Sequence, residues 1–462
     1  MPFVDRFVEE LSAALKPLNA GRGLSFAQRS WLKFCLMGVL MTNSVCWARF
    51  ERIGLGGYRL GALSWMFRKT KIPWDRLFQA SVGRALERHG LRDGVLTADD
   101  SDHRRAKRTP RIHAAHKIFD KKTGGYFNGQ TLVFLLLVSG RVTLPVGFRF
   151  YRPDPAMVAW RKEDGRLKKA KVRKAERPAC PERNPAYPSK EECVLSMLRE
   201  FRHCHPHVKI KAVLADALYG NRPFMDEAAS LCGEAQAISQ LRANQKVRHR
   251  NRELSLPALF ARHPGVPQTI RIRGGEPVDV IMSSARVHVC AHGKKRFVIA
   301  LKYAGETEYR YLVATDLSWR TLDIVQAHTL RWLVEVFLED WKLYEGWGSL
   351  AKQPDEEGSS RGLTLSLLCD HALILHPEQL TRLDDQQPAC TVGSLRDHCK
   401  SEAFLDCVRQ ILAADDPAGQ FEQLAETLKT LFPLAPSSKH MSGRDLGRLE
   451  PTPSLRYRAA RA

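Results

Sequence analysis

Residues 208–220 read VKIKAVLADALYG: an apolar run rising to an acid, Asp216, and closing on a glycine. A run of this length bounded by turn residues is a β-strand that ends in a carboxylate. On either side, 189–203 and 221–232 carry apolar residues at helical spacing, and AQAISQL (235–241) is a further strand. Upstream, VLTADDS (95–101) is a second short run ending in acids, and GQTLVFLLLVSGRVTLPVGFRFY (129–151) is a hairpin joined at Ser139-Gly140. Leu132 to Val138 are apolar on both faces, which places that strand inside a sheet covered by helices. The order strand, hairpin, helix, strand, helix, strand predicts an α/β mixed sheet with crossover helices.

Outward from this centre the pattern changes. Between 245 and 316 it is β-rich, with TIRIRG, VDVIMSSARVHVCA, KRFVIALKYA and YRYLVATD separated by turn residues, an insertion made of strands. A strong helix is expected over 321–346, another over 359–376, and two more within 393–432, ahead of a Pro-, Ser- and Arg-rich tail from 435 that reads as disordered. Residues 1–90 are helical at 3–16, 26–43 and 75–90, broken by GLGGYRLG (54–61), and form a separate helical domain whose Arg49, Arg52, Arg68, Lys69 and Lys71 are available to DNA. The stretch WRKEDGRLKKAKVRKAERP (160–178) is too charged to pack and reads as a mobile loop. The expected division is 1–90, 91–244, 245–316, 317–380, 381–434 and 435–462.

The 462 residues suffice for two or three domains, and 44% hydrophobic with 26% charged residues is the balance of a globular protein. Lys plus Arg number 72 against 50 Asp plus Glu, a net +22 that favours a polyanionic partner such as nucleic acid. Eleven cysteines without CxxC pairs argue for a reducing compartment rather than a disulfide framework. Cys204-His205-Pro206-His207 lacks a second ligand pair at zinc-site distance and reads as a helix-ending turn. No stretch resembles a signal peptide or a membrane span, so a cytoplasmic protein without a membrane partner is expected.

Phosphodiester cleavage by two metals needs carboxylates delivered from separate elements to one point. Asp99 and Asp216 end strands, and parallel neighbours would set those ends side by side. An acid at a strand end also caps turns, and Asp100 competes with Asp99 for the same place. Asp99, Asp100 and Asp102 crowd one turn, where their repulsion calls for a cation. The third acid comes from the helix TLRWLVEVFLEDWKLYEGWG, whose Leu330, Val334, Phe337, Trp341 and Tyr344 form a buried stripe. Arg331, Glu335 and Lys342 share the adjacent stripe, either as a surface ion pair with a stray lysine or as a metal acid flanked by phosphate grips; Glu339 is the fallback acid.

RWLVEVFLEDWK resembles the Y-R-E-K signature of bacterial insertion-sequence DDE transposases: Tyr, two residues, Arg, three residues, Glu, six residues, Lys. Arg331, Glu335 and Lys342 meet that spacing, while His328 stands where the family has its tyrosine. ADDSD resembles the first-acid motif and selects Asp99 with Ser101, and DALYG resembles the second, matching Asp216 and Tyr219. The lead-in YLVATDLSWRTLDIV is similar to that of the third-acid helix, so the resemblance covers roughly residues 90–380.

It implies an RNase H-like mixed sheet with flanking helices, its core formed by 91–244 and 317–380 around a β-rich insertion, with helices at both ends of the chain. It further implies Asp99, Asp216 and Glu335 as catalytic metal ligands, Mg²⁺ with Mn²⁺ as substitute, and Arg331, Lys342, His328 and Tyr219 as DNA contacts. Cleavage at terminal inverted repeats, joining of 3'-hydroxyl ends to target DNA, and a homodimeric synaptic complex follow from the same source. His103, Arg104, Arg105, Lys107 and Arg108 are candidates for the DNA path, GGYFNG (124–129) is a turn, and Trp319 and Trp332 read as core. A nuclease or resolvase on the same core, or an inactive DNA-binding descendant, are the other readings.

Overall fold

The computed structural model describes residues 1–54, 57–105, 112–272, 275–347 and 355–431. Five helices open the chain: α1 (Pro2–Leu15), α2 (Phe26–Thr42), α3 (Trp47–Ile53), α4 (Leu60–Lys69) and α5 (Trp74–Arg88). Arg49, Arg52, Arg68 and Lys69 are exposed on them, and Lys71 is exposed in the connection between α4 and α5. Four strands follow, β1 (Asp93–Arg104), β2 (His116–Asp120), β3 (Gly125–Val138) and β4 (Thr143–Tyr151). Every residue from Leu132 to Val138 is buried, as expected of a strand covered on both faces, and β3 and β4 form the hairpin that turns at Ser139-Gly140.

The sequence 160–178, expected to be a loop, is helical through Lys169 as part of α6 (Pro155–Lys169). The reason lies in its ends: Asp154 caps the first turn by accepting from the Ala156 amide at 2.8 Å, Pro155 occupies the first helical position, and Arg166, Lys168 and Lys169 face the negative end of the dipole. The helix buries no residue, so its charge excluded it from the core without excluding it from helicity.

Next come α7 (Lys190–Cys204), β5 (Lys209–Ala215), α8 (Arg222–Leu231) and β6 (Gln236–Leu241). α7 ends at the Cys-His-Pro-His turn as read. Strands β7 (Lys246–His249) and β8 (Arg252–Ser255), the short α9 (Leu256–Ala261), then β9 (Val266–Arg271), β10 (Pro277–Val289), β11 (Lys294–Tyr303) and β12 (Arg310–Ala314) make up the β-rich stretch. They do not stand apart from the first strands: β12 pairs with β6, and one 12-stranded sheet runs β2-β3-β1-β5-β6-β12-β11-β10-β7-β8, with β4 on β3 and β9 on β10. Within it β4, β3 and β1 are antiparallel, and β5 and β6 run parallel to β1, the RNase H-like arrangement with flanking helices.

The expected single helix over 321–346 is two: α10 (Thr321–Thr329) and α11 (Trp332–Tyr344). At the joint, Arg331 N–H donates to His328 O at 3.1 Å and Val334 N–H to Arg331 O at 3.1 Å, a tightened i→i+3 turn rather than a gap. α12 (Glu356–Ile374), α13 (Pro377–Asp384), α14 (Val392–Leu412) and α15 (Pro417–Leu431) close the described chain; the tail read as disordered lies outside the described residues. α12 is buried on nearly every side.

α7 packs against β3 and β4, α10 against β5 and β6, and α11 against β1, while Phe78 of α5 meets Phe148, the cross-strand partner of Phe134. Residues of α1–α5, α11, α12 and the first strands share one hydrophobic cluster, while Leu214, Ile238, Leu312, Ile324 and Val325 belong to a second beneath α10. α11 is seated by Trp341, fully buried, with Phe134 edge-on at 5.0 Å, Trp347 stacked at 4.8 Å and its indole N–H given to Ser366 Oγ at 2.9 Å. Trp332, expected in the core, is 48% exposed because it lies on the opposite side of α11 from that stripe. Among the described residues no single helix is long and apolar enough to cross a membrane.

Candidate active site

β1 and β5 run parallel in register to Ala98↔Ala215, so Asp99 and Asp216 leave the ladder together at adjacent positions. The structure corrects one detail. β1 does not end at the acids: its other edge continues against β3 from Val95↔Val138 to Arg104↔Gly129, and only the parallel ladder stops at Ala98. Asp99, Asp100 and Asp102 therefore alternate along a strand rather than crowd a turn.

Alternation separates the two rivals. Asp99 pairs with Phe134 and shares its face, the one covered by α11. There Arg331 Nη1 donates to Asp99 Oδ2 at 2.8 Å, and Arg331 Nη2 to Glu335 Oε1 at 2.8 Å, so the i,i+4 surface pair foreseen for the helix reaches a third partner in the sheet. The second Asp99 oxygen accepts from the Asp100 amide at 2.8 Å. Asp100 faces the α7 side, where Lys190 Nζ lies 2.6 Å from its Oδ2 and 5.3 Å from the Tyr151 ring centroid.

Burial pushes the Asp99 carboxyl up to about 6; the Asp100 amide and Arg331 oppose this, and the charges of Asp216 and Asp100 add to it. Burial likewise raises Asp100, against Lys190. Asp216 caps a one-turn 3₁₀ segment by accepting from the Leu218 amide at 2.8 Å, and its backbone carbonyl accepts from Ser239 Oγ at 2.6 Å. Gly220 closes that turn where a Cβ would stand 2.2 Å from Gln240 O, so no other residue fits without parting the backbones.

Lys342 reaches over β1 to donate to Ser101 Oγ, and its Nζ lies 3.4 Å from Asp102 O; burial lowers its pKa. Glu339 is exposed. His328, the substitute for tyrosine, faces Gln240 at 3.3 Å, and the atoms packed around it, with Arg331 and Arg310, push its pKa down to about 3. Tyr219 is fully buried and its hydroxyl has no hydrogen-bond partner among the described residues; burial and the charges of Asp100, Asp99 and Asp216 raise its pKa. Tyr219 is thus enclosed, while His328 keeps part of its surface exposed. Arg104 is exposed beside Asp120 at 3.3 Å, whereas Arg105 turns inward to Gln130 Oε1 at 2.8 Å and the Trp347 ring at 5.0 Å, with its pKa lowered to about 10 by burial. Lys107 and Arg108 lie outside the described residues.

Among the described residues no three His, Cys, Asp or Glu side chains stand close enough to hold a metal ion. Asp99 and Glu335 do converge on a cation, but that cation is the Arg331 guanidinium. The donor set still suits a hard divalent ion: it is all carboxylate oxygen, and an unpartnered tyrosine hydroxyl lies among the acids.

Three features escaped sequence reading. Lys190 sits in a Ser189/Glu192 capping box that advertises a helix start and says nothing of Asp100. Asp226 and Arg296, at 2.5 Å, and Arg296 and His292, at 3.0 Å, brace the Gly220 carbonyl, 3.1 Å from His292 Nε2. Beyond α11, Glu345 and Asp370 form a buried acid pair: neither Glu345 oxygen nor Asp370 Oδ2 meets a donor among the described residues, so the carboxyls bond only by sharing a proton. Burial raises both, Asp370 to about 7.

The family model described as DDE superfamily endonuclease matches residues 23–289, a span that includes Asp99 and Asp216 and stops within β10, ahead of Glu335. No curated protein matches the chain.

Proposed function

The chain belongs to the DDE superfamily of endonucleases, and from that premise we propose that it is a DNA transposase of an insertion sequence, cleaving at terminal inverted repeats and joining 3'-hydroxyl ends to target DNA. The observation that carries this reading is the register Ala98↔Ala215, which delivers two carboxylates to one point from neighbouring parallel strands. Glu335 is the third ligand, brought over β1 by α11. Asp99 is favoured over Asp100 because it alone shares a face with Glu335.

In this reading Asp99, Asp216 and Glu335 hold Mg²⁺, or Mn²⁺ in its place. When bound, two such ions activate the attacking oxygen of water or a 3'-hydroxyl and stabilise the leaving oxygen. The protein's own work is placement. Lys342, held on β1 by Ser101, sets an ammonium beside the acids for a phosphate of the scissile strand, and Arg331 supplies a planar fork for another. The buried Tyr219 and Phe134 keep water from beneath Asp99, which preserves the strength of charge interactions above it. Exposed Arg104 and the basic residues of α3 and α4 extend the path for DNA. A homodimer would hold two ends together.

Purified protein is incubated with a labelled duplex carrying the element's end, in Mg²⁺ or EDTA, beside Asp216→Ala. Metal-dependent nicking at the repeat boundary, followed by products joined to target DNA and lost in the variant, supports the proposal. Nicking without joined products leaves a nuclease. Equal activity of both proteins rejects the site.

A further inference from the structure

The Arg331 guanidinium occupies the position between Asp99 and Glu335, 2.8 Å from an oxygen of each. Asp99 therefore has both oxygens engaged, one by Arg331 and one by the Asp100 amide, Glu335 has its Oε1 held by the same guanidinium, and no triad of acids stands at metal distance among the described residues. Arg331 also sits at the tightened joint between α10 and α11, where helical bonding passes to the i→i+3 pattern, a place at which a side chain can be re-aimed with little loss of backbone pairing. A guanidinium fork fits a carboxylate and a phosphate equally well.

We propose that Arg331 is an exchangeable counter-ion: it holds Asp99 and Glu335 until a divalent cation displaces it, and the released fork then binds a DNA phosphate. The inference rests on the reading of Asp99, Asp216 and Glu335 as a metal site. Its consequence is a coupling that works in both directions. DNA that captures Arg331 frees two carboxylates and strengthens metal binding, and metal that evicts Arg331 frees a phosphate grip and strengthens DNA binding by the same factor. In the protein without DNA the site is held shut by its own arginine, so metal loading is weak where there is nothing to cut. Lys342 does not share this role, because it is bonded to Ser101 and Asp102 rather than to Asp99 or Glu335.

The test is Mn²⁺ binding followed by electron paramagnetic resonance on the full chain, with and without a duplex, for wild type, Arg331→Ala and Asp216→Ala. Expected is Mn²⁺ affinity about tenfold higher in Arg331→Ala than in wild type without DNA, a modest member of the usual range of coupling. The duplex should raise wild-type affinity and leave that of the variant nearly unchanged. Mn²⁺ binding that needs Asp216 but is equal or weaker in Arg331→Ala overturns the exchange and leaves the metal site standing. Binding that ignores Asp216 overturns both. If thermal melting shows Arg331→Ala to be unfolded, Arg331→Lys decides: its single ammonium cannot span two carboxylates, so affinity should rise, and unchanged or lower affinity overturns the proposal.

Discussion

The acid pair Glu345–Asp370 makes stability depend on pH in a calculable way. Asp370 rises from the ordinary 3.8 to about 7, with burial as the first cause and the charge of Asp340 behind it, against the lowering effect of its bond with Glu345. Its folded-state pKa therefore exceeds the unfolded one, and the native chain binds the extra proton between those values. Stability from this group is fully present at low pH and is lost as pH rises through the window from 3.8 to 7. At 1.36 kcal/mol per unit the whole window is worth about 4 kcal/mol, of which about 2 kcal/mol falls above pH 5.5. Asp370→Asn keeps the shape, removes the ionisation and gives Glu345 an amide donor. The variant should match wild type within about 1 kcal/mol below pH 3.8, exceed it by about 2 kcal/mol at pH 5.5 and by about 4 kcal/mol at pH 8.5. Urea unfolding followed by tryptophan fluorescence at these pH values measures this, and comparing the two proteins cancels the titration of Asp99, Asp100 and other shared groups. A variant that is no more stable than wild type at pH 8.5 would refute the shared-proton account.

Other outcomes follow from neighbouring contacts. Trp341→Ala removes the fully buried ring that seats α11 and should cost about 3–5 kcal/mol in calorimetric stability, with loss of nicking beyond what melting explains. Gly220→Ala forces a Cβ against Gln240 O and should cost about 1–3 kcal/mol, together with weaker Asp216-dependent Mn²⁺ binding; an unchanged melting temperature would show that the turn yields freely. Lys342→Met keeps the aliphatic stem and loses the ammonium, so DNA affinity should fall and the slope of log affinity against log salt should shrink by about 0.9, read by filter binding over a salt series. Asp99 must lose its proton to take a metal, so Mn²⁺ affinity should decline as pH falls through about 6; a flat profile between pH 5 and 7 would remove Asp99 from the site.

Much of the catalytic sheet was legible because its strands obey local rules. Leu132 to Val138 are apolar on both faces, and the run ending in Asp216 carries its own turn residues. What was illegible depends on distant partners. β1 runs on to Arg104 because β3 is there to pair with it, across a separation no window of sequence spans. The α10–α11 joint contains neither proline nor glycine to mark it, and the Arg331–Asp99 contact links residues 232 apart. α6 is masked for a different reason: its cap Asp154-Pro155 is local, but the charge of 160–178 argues only against packing, which a solvated helix does not need. The tyrosine of the second-acid motif was matched by spacing, yet spacing carries no depth, and Tyr219 lies beneath the acids rather than before them.

The step in β1, paired on one edge to Ala98 and on the other to Arg104, sets how the molecule chooses between two chemically identical neighbours. Nothing in the side chains of Asp99 and Asp100 distinguishes them; a slide of β1 against β3 by one residue would swap them across the sheet and hand Arg331 and Glu335 the other acid. The identity of the reactive carboxylate is thus held as an alignment of two backbones, anchored by a hairpin some forty positions away, and an insertion or deletion in β1 would relocate the site without altering one acidic residue.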